Sequence, residues 1–454
     1  MGIDTVHPLY SAWLARWKRC RDAYDGEDAV KAGGQTYLPK MSKRQPADEY
    51  AAYVTRAAYY EAVGRTVDGF VGAIARKSHK FTLPARLAAM EKNATGDGVG
   101  INELVRALCA ENLTLGRLGL LVDLDDAGQP FLTYYSAEAI TNWSDTSVVV
   151  AETVFEPDPK DPLATVAVAQ YRQFHLDGGV YTVSTWRKTK IGAKVEWAVV
   201  DSRQPLQTGR LMDRMPWFWC SMLGVTDRIT KPPLLGLVNV AMSHYRTSAD
   251  LEHGRHFAGR PTLYITGWKP DGPIFVGGAS ALIIPPPDAK VGYAEFTGQG
   301  LLSLENAMTS KERQIAAMGA AAFAKGDAKS EPVVTAEVRA SGETSVLAAV
   351  VCAVEETLSA ALQFAADWIA APGEVGVALN RDFVMSAMDP QTLAGLLLAL
   401  QSGAIDLPTF LWNLEEADML APAQDYLDLA NGLQAGLDAR LAAAARKPAQ
   451  GAPV

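Results

Sequence analysis

The chain has 454 residues and a net charge of -9, with 48% hydrophobic and 20% charged residues. That length exceeds one ordinary core and implies roughly two to four packed units, and the balance is that of a folded chain rather than a disordered one. The acidic excess excludes a protein that wraps nucleic acid by bulk charge, so contact with DNA would have to be local or depend on not sticking.

The four cysteines, Cys20, Cys109, Cys220 and Cys352, make no CxxC pair, and neither a disulfide framework nor a cysteine zinc site is expected. The start, MGIDTVHPLYSAWLARWKRC, lacks the basic-then-apolar order of a signal peptide. No uninterrupted apolar run reaches membrane-spanning length. Val6 stands where a myristoylation signal needs Ser or Thr. The expectation is a chain made in the cytoplasm, with no membrane partner.

Apolar residues recur at helical spacing in Leu9 to Cys20, Tyr50 to Ile74 and Ile101 to Leu115, predicting an α-helical opening with Gly- and Pro-rich breaks. After Gly116 the period becomes two. The runs LGLLVDL, PFLTYYS, SVVVAETVF, ATVAVAQYRQFHL, GVYTVSTWRK and KVEWAVVD predict one antiparallel β-domain over about 118–220, with a tight turn at Asp177-Gly178-Gly179. A long helix is predicted over 233–257, roughly 38 Å at 1.5 Å per residue. A Gly/Pro-punctuated β-like segment follows over 258–300, with candidate strands TLYIT, PIFVG, ALIIP and GYAEF, and then a matched helix over 301–325. Helix, small β-insert and helix imply two helices side by side with the insert at their far end. A loop is expected over about 326–343, a long helix from Thr344 to Ala370 within 344–388, helices over 389–446, and a frayed tail over 447–454. The fold class is α+β.

The sequence contains no G-x-x-x-x-G-K-[ST] and no G-x-S-x-G. In DLEHGRH, Asp250 to His256, the two histidines stand three apart with Gly254 between them, which does not match H-E-x-x-H, so the run reads as a solvated helix end and not a metal site. Ser243-His244 are sequence neighbours only. Glu355-Glu356 and Glu415-Glu416 point apart on helices and read as solvated faces. Trp217-Phe218-Trp219 has no interleaved basic residues, which favours packing over base stacking. Neither catalysis nor a cofactor is expected. The rival class is a cytoplasmic enzyme or ligand-binding protein built on the β-domain.

Several segments resemble a family of tailed-phage portal proteins, that of the DUF4055 domain. They are Trp17, Arg21-Asp22, Gly26 and Val30-Lys31; Tyr37-Leu38-Pro39, Tyr50, Tyr53 and Arg56-Ala57; and Arg65-Thr66-Val67 before Gly69 and Gly72. Further on come Tyr264 to Gly267, Val276-Gly277-Gly278, Leu301 through Met318-Gly319-Ala320, and Leu379 to Phe383. The resemblance implies a wing over 1–227, a two-helix stem over 233–257 and 301–325, a small β clip over 258–300, a tunnel loop over 326–343, a return to the wing over 344–388 and a helical crown from 389.

It also implies a dodecameric ring at one capsid vertex of the virion, made in the host cytoplasm. Its partners would be terminase, then neck or adaptor proteins, with the major capsid and scaffolding proteins around it and double-stranded DNA passing through. On that mapping Lys325, Lys329 and Arg339 are the candidates for the DNA-facing tunnel loop. Glu305, Glu312, Arg313 and Asp250 are candidates for the stem channel. Trp268, Lys269, Asp271, Pro286 and Asp288 are candidates for partner docking at the clip.

Overall fold

The computed structural model describes residues 2–158, 161–191, 194–259, 262–267, 288–294, 299–320, 333–381, 383, 390–416, 419–420 and 426–445. The fold is α+β, and the chain divides into two units, Met1–Arg381 and Asp382–Val454.

The first unit opens with α1 (Pro8–Asp25) and α2 (Glu27–Ala32). Pro8 suits the first helical turn, and His7 Nδ1 accepts the Leu9 N–H at 3.2 Å. Gly26, at φ 101, ends α1. The single helix expected from Tyr50 to Ile74 is two: α3 (Ala47–Arg56) and α4 (Ala62–Ile74). The break falls where Ser248 accepts the Ala58 N–H at 3.0 Å and donates to the Ala58 carbonyl at 2.7 Å, so a distant side chain satisfies backbone that a helix would have bonded. Beyond a short β1 (Lys80–Thr82) comes α5 (Ile101–Leu115), closed by Gly116 in the left-handed conformation at φ 75.

The β-rich stretch forms a three-stranded sheet, a five-stranded sheet and a small two-stranded pair. β2 (Arg117–Leu124) lies between β3 (Pro130–Ser136) and β11 (Trp217–Ser221). β4 (Ile140–Ser144), β5 (Ser147–Asp158), β6 (Asp161–Asp177), β7 (Val180–Ile191) and β8 (Lys194–Arg203) make a five-stranded antiparallel meander. Gly178 and Gly179 take φ 56 and 84 in the β6–β7 turn. A small pair, β9 (Leu206–Gln207) and β10 (Arg210–Leu211), precedes β11.

Then come α6 (Leu235–Ala258), β12 (Thr262–Thr266), β13 (Lys290–Ala294) and α7 (Gln299–Ile315), the last running into a π turn at Ala316–Ala320. β12 and β13 pair antiparallel; the expected strands PIFVG and ALIIP lie outside the described residues. α8 (Val333–Trp368) begins eleven residues before the expected Thr344, so the C-terminal part of the expected tunnel loop is helix. Propagation from the apolar run beyond carries the helix through Gly342 at a cost of about 1 kcal/mol. Val346–Trp368 is long and apolar enough to cross a membrane, but Glu355 and Glu356 interrupt its apolar run and half of it is buried inside the chain. Val350, Val354, Leu358 and Leu362, four apart along that helix, are among its fully buried residues. β14 (Gly376–Ala378) pairs with β1.

The core of this unit joins α1 to α6: Trp17, Leu38, Tyr53, Val63, Val238, Ala241 and Tyr245 belong to one buried cluster. The second unit contains α9 (Pro390–Gln401), closed by Gly403 at φ 74, α10 (Leu407–Glu416) and α11 (Tyr426–Ala445).

Candidate functional site

The residues that define the candidate site lie along the seam between α6 and α7. Arg255 donates to Glu305 at 2.8 Å, His244 Nε2 lies 3.3 Å from Glu312, and Lys311 donates to the Ser243 carbonyl at 3.1 Å and to the Thr247 hydroxyl. As residue numbers fall on α6 they rise on α7, so the helices are antiparallel. Gly254 lets them close up, since a Cβ there would lie 2.6 Å from Leu301 Cδ2. Arg255 also holds Glu252 at 2.8 Å, and its two carboxylate partners raise its pKa against a small opposing effect of burial. Burial, followed by Arg246, lowers the pKa of Lys311.

Two of the four stem-channel candidates, Glu305 and Glu312, are therefore bound across the seam, while Arg313 is exposed on α7. Asp250 accepts the Tyr53 hydroxyl of α3 at 2.5 Å. The polar side chains of the run around it are exposed or half-buried, as its polarity suggests, and its rings also make local contacts. His253 packs edge-on to Tyr53 and Phe257, with ring centroids at 5.4 and 4.6 Å, and Arg56 meets His256 at 3.2 Å. Burial and the nearby Arg56 lower the His253 pKa. No group of three or more metal-ligating side chains converges among the described residues.

At the far end, Gly267 takes φ 78 and a Cβ there would meet the Asp288 carbonyl at 2.9 Å, so the β12 end and the residues before β13 approach closely. Asp288 is exposed; Trp268, Lys269, Asp271 and Pro286 lie outside the described residues. At the other end Gly319, in the π turn, packs against Thr66 of α4 and Leu237 of α6. Lys325 and Lys329 fall outside the described residues, and Arg339 lies on α8 instead of a loop.

The resemblance-bearing residues turn out to hold the fold together. Arg21 binds both oxygens of Glu111 at 2.7 Å and Glu138 at 3.0 Å, Trp17 is fully buried, and Asn380 donates to the Ala73 and Ile74 carbonyls at the end of α4. Glu355, expected on a solvated face, binds Arg381 at 2.9 Å and the Leu379 N–H at 2.9 Å. Sequence reasoning missed His244, Arg255 and Lys311. Pairing the polar positions of the two predicted helices in antiparallel register would have found them.

Residues 233–369 match the model of a family described as a domain of unknown function, DUF4055. That span takes in α6, β12, β13, α7 and the whole of α8. It includes the Tyr264 and Leu301 segments quoted for the resemblance, whereas the Trp17 and Leu379 segments lie outside it. Among solved structures the chain is similar to one from the virion of a native gene transfer agent particle, at 16% identity over 84% of this chain and 95% of that one, with a TM-score of 0.39. Two others come from the neck of the empty particle computed with C6 symmetry (16%, 84% and 94%, TM-score 0.40) and the neck of the native particle computed with C12 symmetry (14%, 84% and 98%, TM-score 0.40). No curated protein matches.

Proposed function

We propose that the chain is a portal subunit of a tailed-phage-like particle: a non-enzymatic ring component, resident in the virion at one capsid vertex, through whose channel double-stranded DNA is packaged and released. The observation that carries this reading is the antiparallel α6–α7 pair, cross-linked by Arg255–Glu305, His244–Glu312 and Lys311–Thr247, with the antiparallel β12–β13 pair at one end and a π turn at the other. Two helices fixed rigidly side by side form a strut, and a strut repeated about an axis forms a channel wall whose modest charges add. The acidic balance of the chain keeps phosphates from adhering to such a wall.

On this reading the β12–β13 end docks terminase first and neck or adaptor proteins afterwards, and an ATPase acting on the DNA belongs to the terminase. The ring is tested by native mass spectrometry and negative-stain imaging of the purified chain. The expected result is a closed ring with a central hole, twelve-fold in the particle; a chain that stays monomeric or dimeric at high concentration removes the proposal.

A further inference from the structure

The meander of β4 to β8 is not held together along its whole length. β6 pairs with β7 only from Gln170 to Asp177, so its outer half, beyond Gln170, is bonded to β5 alone, and β7 and β8 likewise continue together past Arg187. Two two-stranded ribbons thus extend from a common sheet. A lone hairpin is marginal in water at best, and these end in apolar side chains open to solvent: Leu163 is 97% exposed, Phe155 73% and Val195 65%. Such surface is kept where something covers it.

The ribbons carry opposite charge. Among the described residues the outer part of the β5–β6 ribbon holds Glu152, Glu156, Asp158 and Asp161, whereas that of the β7–β8 ribbon holds Arg187, Lys188, Lys190 and Lys194 against Glu196. Glu156 and Arg187 tie the two at their base at 2.7 Å, and beyond them Lys188, Lys190 and Lys194 are exposed. An acidic arm and a basic arm on one subunit are what a head-to-tail contact needs, because each copy then offers a different face to each neighbour and the contact can close into a ring. We infer that the basic β7–β8 ribbon of one copy docks on the acidic β5–β6 ribbon of the next, covering Leu163, Phe155 and Val195. The inference rests on the ring reading above and supplies its lateral contact.

The test uses the full chain and native mass spectrometry. The triple reversal Lys188→Glu, Lys190→Glu and Lys194→Glu lowers the ring fraction at least tenfold with circular dichroism unchanged, and so does Asp158→Lys with Asp161→Lys. The two sets combined restore the ring, because the charge pattern is exchanged and not abolished. A zero-length carbodiimide cross-linker gives a second readout free of folding effects: with mixed isotope-labelled and unlabelled wild-type chains, it joins lysines of the basic ribbon to carboxylates of the acidic ribbon between copies. A wild-type ring that both reversals leave intact, a combined variant that stays dissociated, or cross-links confined to single chains each overturn the inference and leave the ring standing. A wild-type chain that forms no ring overturns both.

Discussion

Arg117 shows how a charged side chain is held without a hydrogen-bond partner. It is fully buried, its guanidinium carbon lies 4.1 Å from the ring centroids of both Trp143 and Trp219, and His7 stacks on Trp143 at 4.0 Å. Its three side-chain nitrogens have no hydrogen-bond partner, and burial lowers its pKa to about 10, with Asp227 opposing. The two ring faces are the remaining compensation, worth about 2 kcal/mol each when desolvated. A planar guanidinium lies flat between rings; an ammonium is compact, strongly hydrated and cannot. Arg117→Lys is therefore expected to cost about 2–4 kcal/mol in urea unfolding, and Arg117→Met, which fills the slot without a charge, less than half of that. The opposite order would mean that charge, not planarity, is what the site holds. The Trp217 to Trp219 run was legible as packing because no basic residue alternates with it. Arg117 was not, because its two partners stand far away in sequence and an arginine opening a strand has the pattern of a surface residue.

At the scale of elements, the sites where sequence periodicity misled are those where a distant group intervenes. The helix expected from Tyr50 to Ile74 has an uninterrupted apolar pattern, and at its break Ser248 on α6 bonds the Ala58 backbone while Tyr59 bonds the Ala23 carbonyl. The π turn after α7 is a second case. Gly319 there has no room for a side chain, since a Cβ would lie 2.7 Å from Thr66 Oγ1 and 2.8 Å from Thr66 Cγ2. Thr66 cannot yield easily, being buried with its hydroxyl bonded to the Ala62 carbonyl at 2.7 Å. Gly319→Ala should lower stability by about 1–3 kcal/mol through overpacking. Thr66→Ala in the same chain should return most of it, so a double-mutant cycle in urea reads a coupling close to the single cost. Additive losses would show that the close approach is not what fixes the turn. The order α6, β12, β13, α7 follows a period that changes from 3.6 to two and back, with Gly and Pro between the segments.

For the whole molecule, the net charge of -9 gives the local cations their meaning. If Lys325 and Lys329 line the narrowest part of a ring, repetition turns two lysines into a band inside an acidic particle that touches phosphates without regard to sequence. Replacing both by alanine should leave ring assembly intact and increase loss of packaged DNA at low salt, with the gap from wild type narrowing as salt screens the contact. Equal genome retention at low salt would dispose of the lysine band while sparing the ring. Composition could indicate an acidic chain; it could not indicate which charges of α6 and α7 pair with each other.

The pairing of β1 with β14 bears on synthesis as well as on shape. Phe81 faces Val377 across that ladder, and Asn380 beside it takes up the carbonyls at the end of α4 and donates its N–H to His79. Closing so long a loop adds little entropy cost, because each doubling of length costs only about 0.6 kcal/mol. Its cost is in time: a ribosome adding about 5–20 residues per second needs roughly 15–60 s to travel from β1 to β14. Until then the amino-terminal helices lack this ladder and the Asn380 contacts at the end of α4, so a half-made chain cannot complete the packing of its first unit.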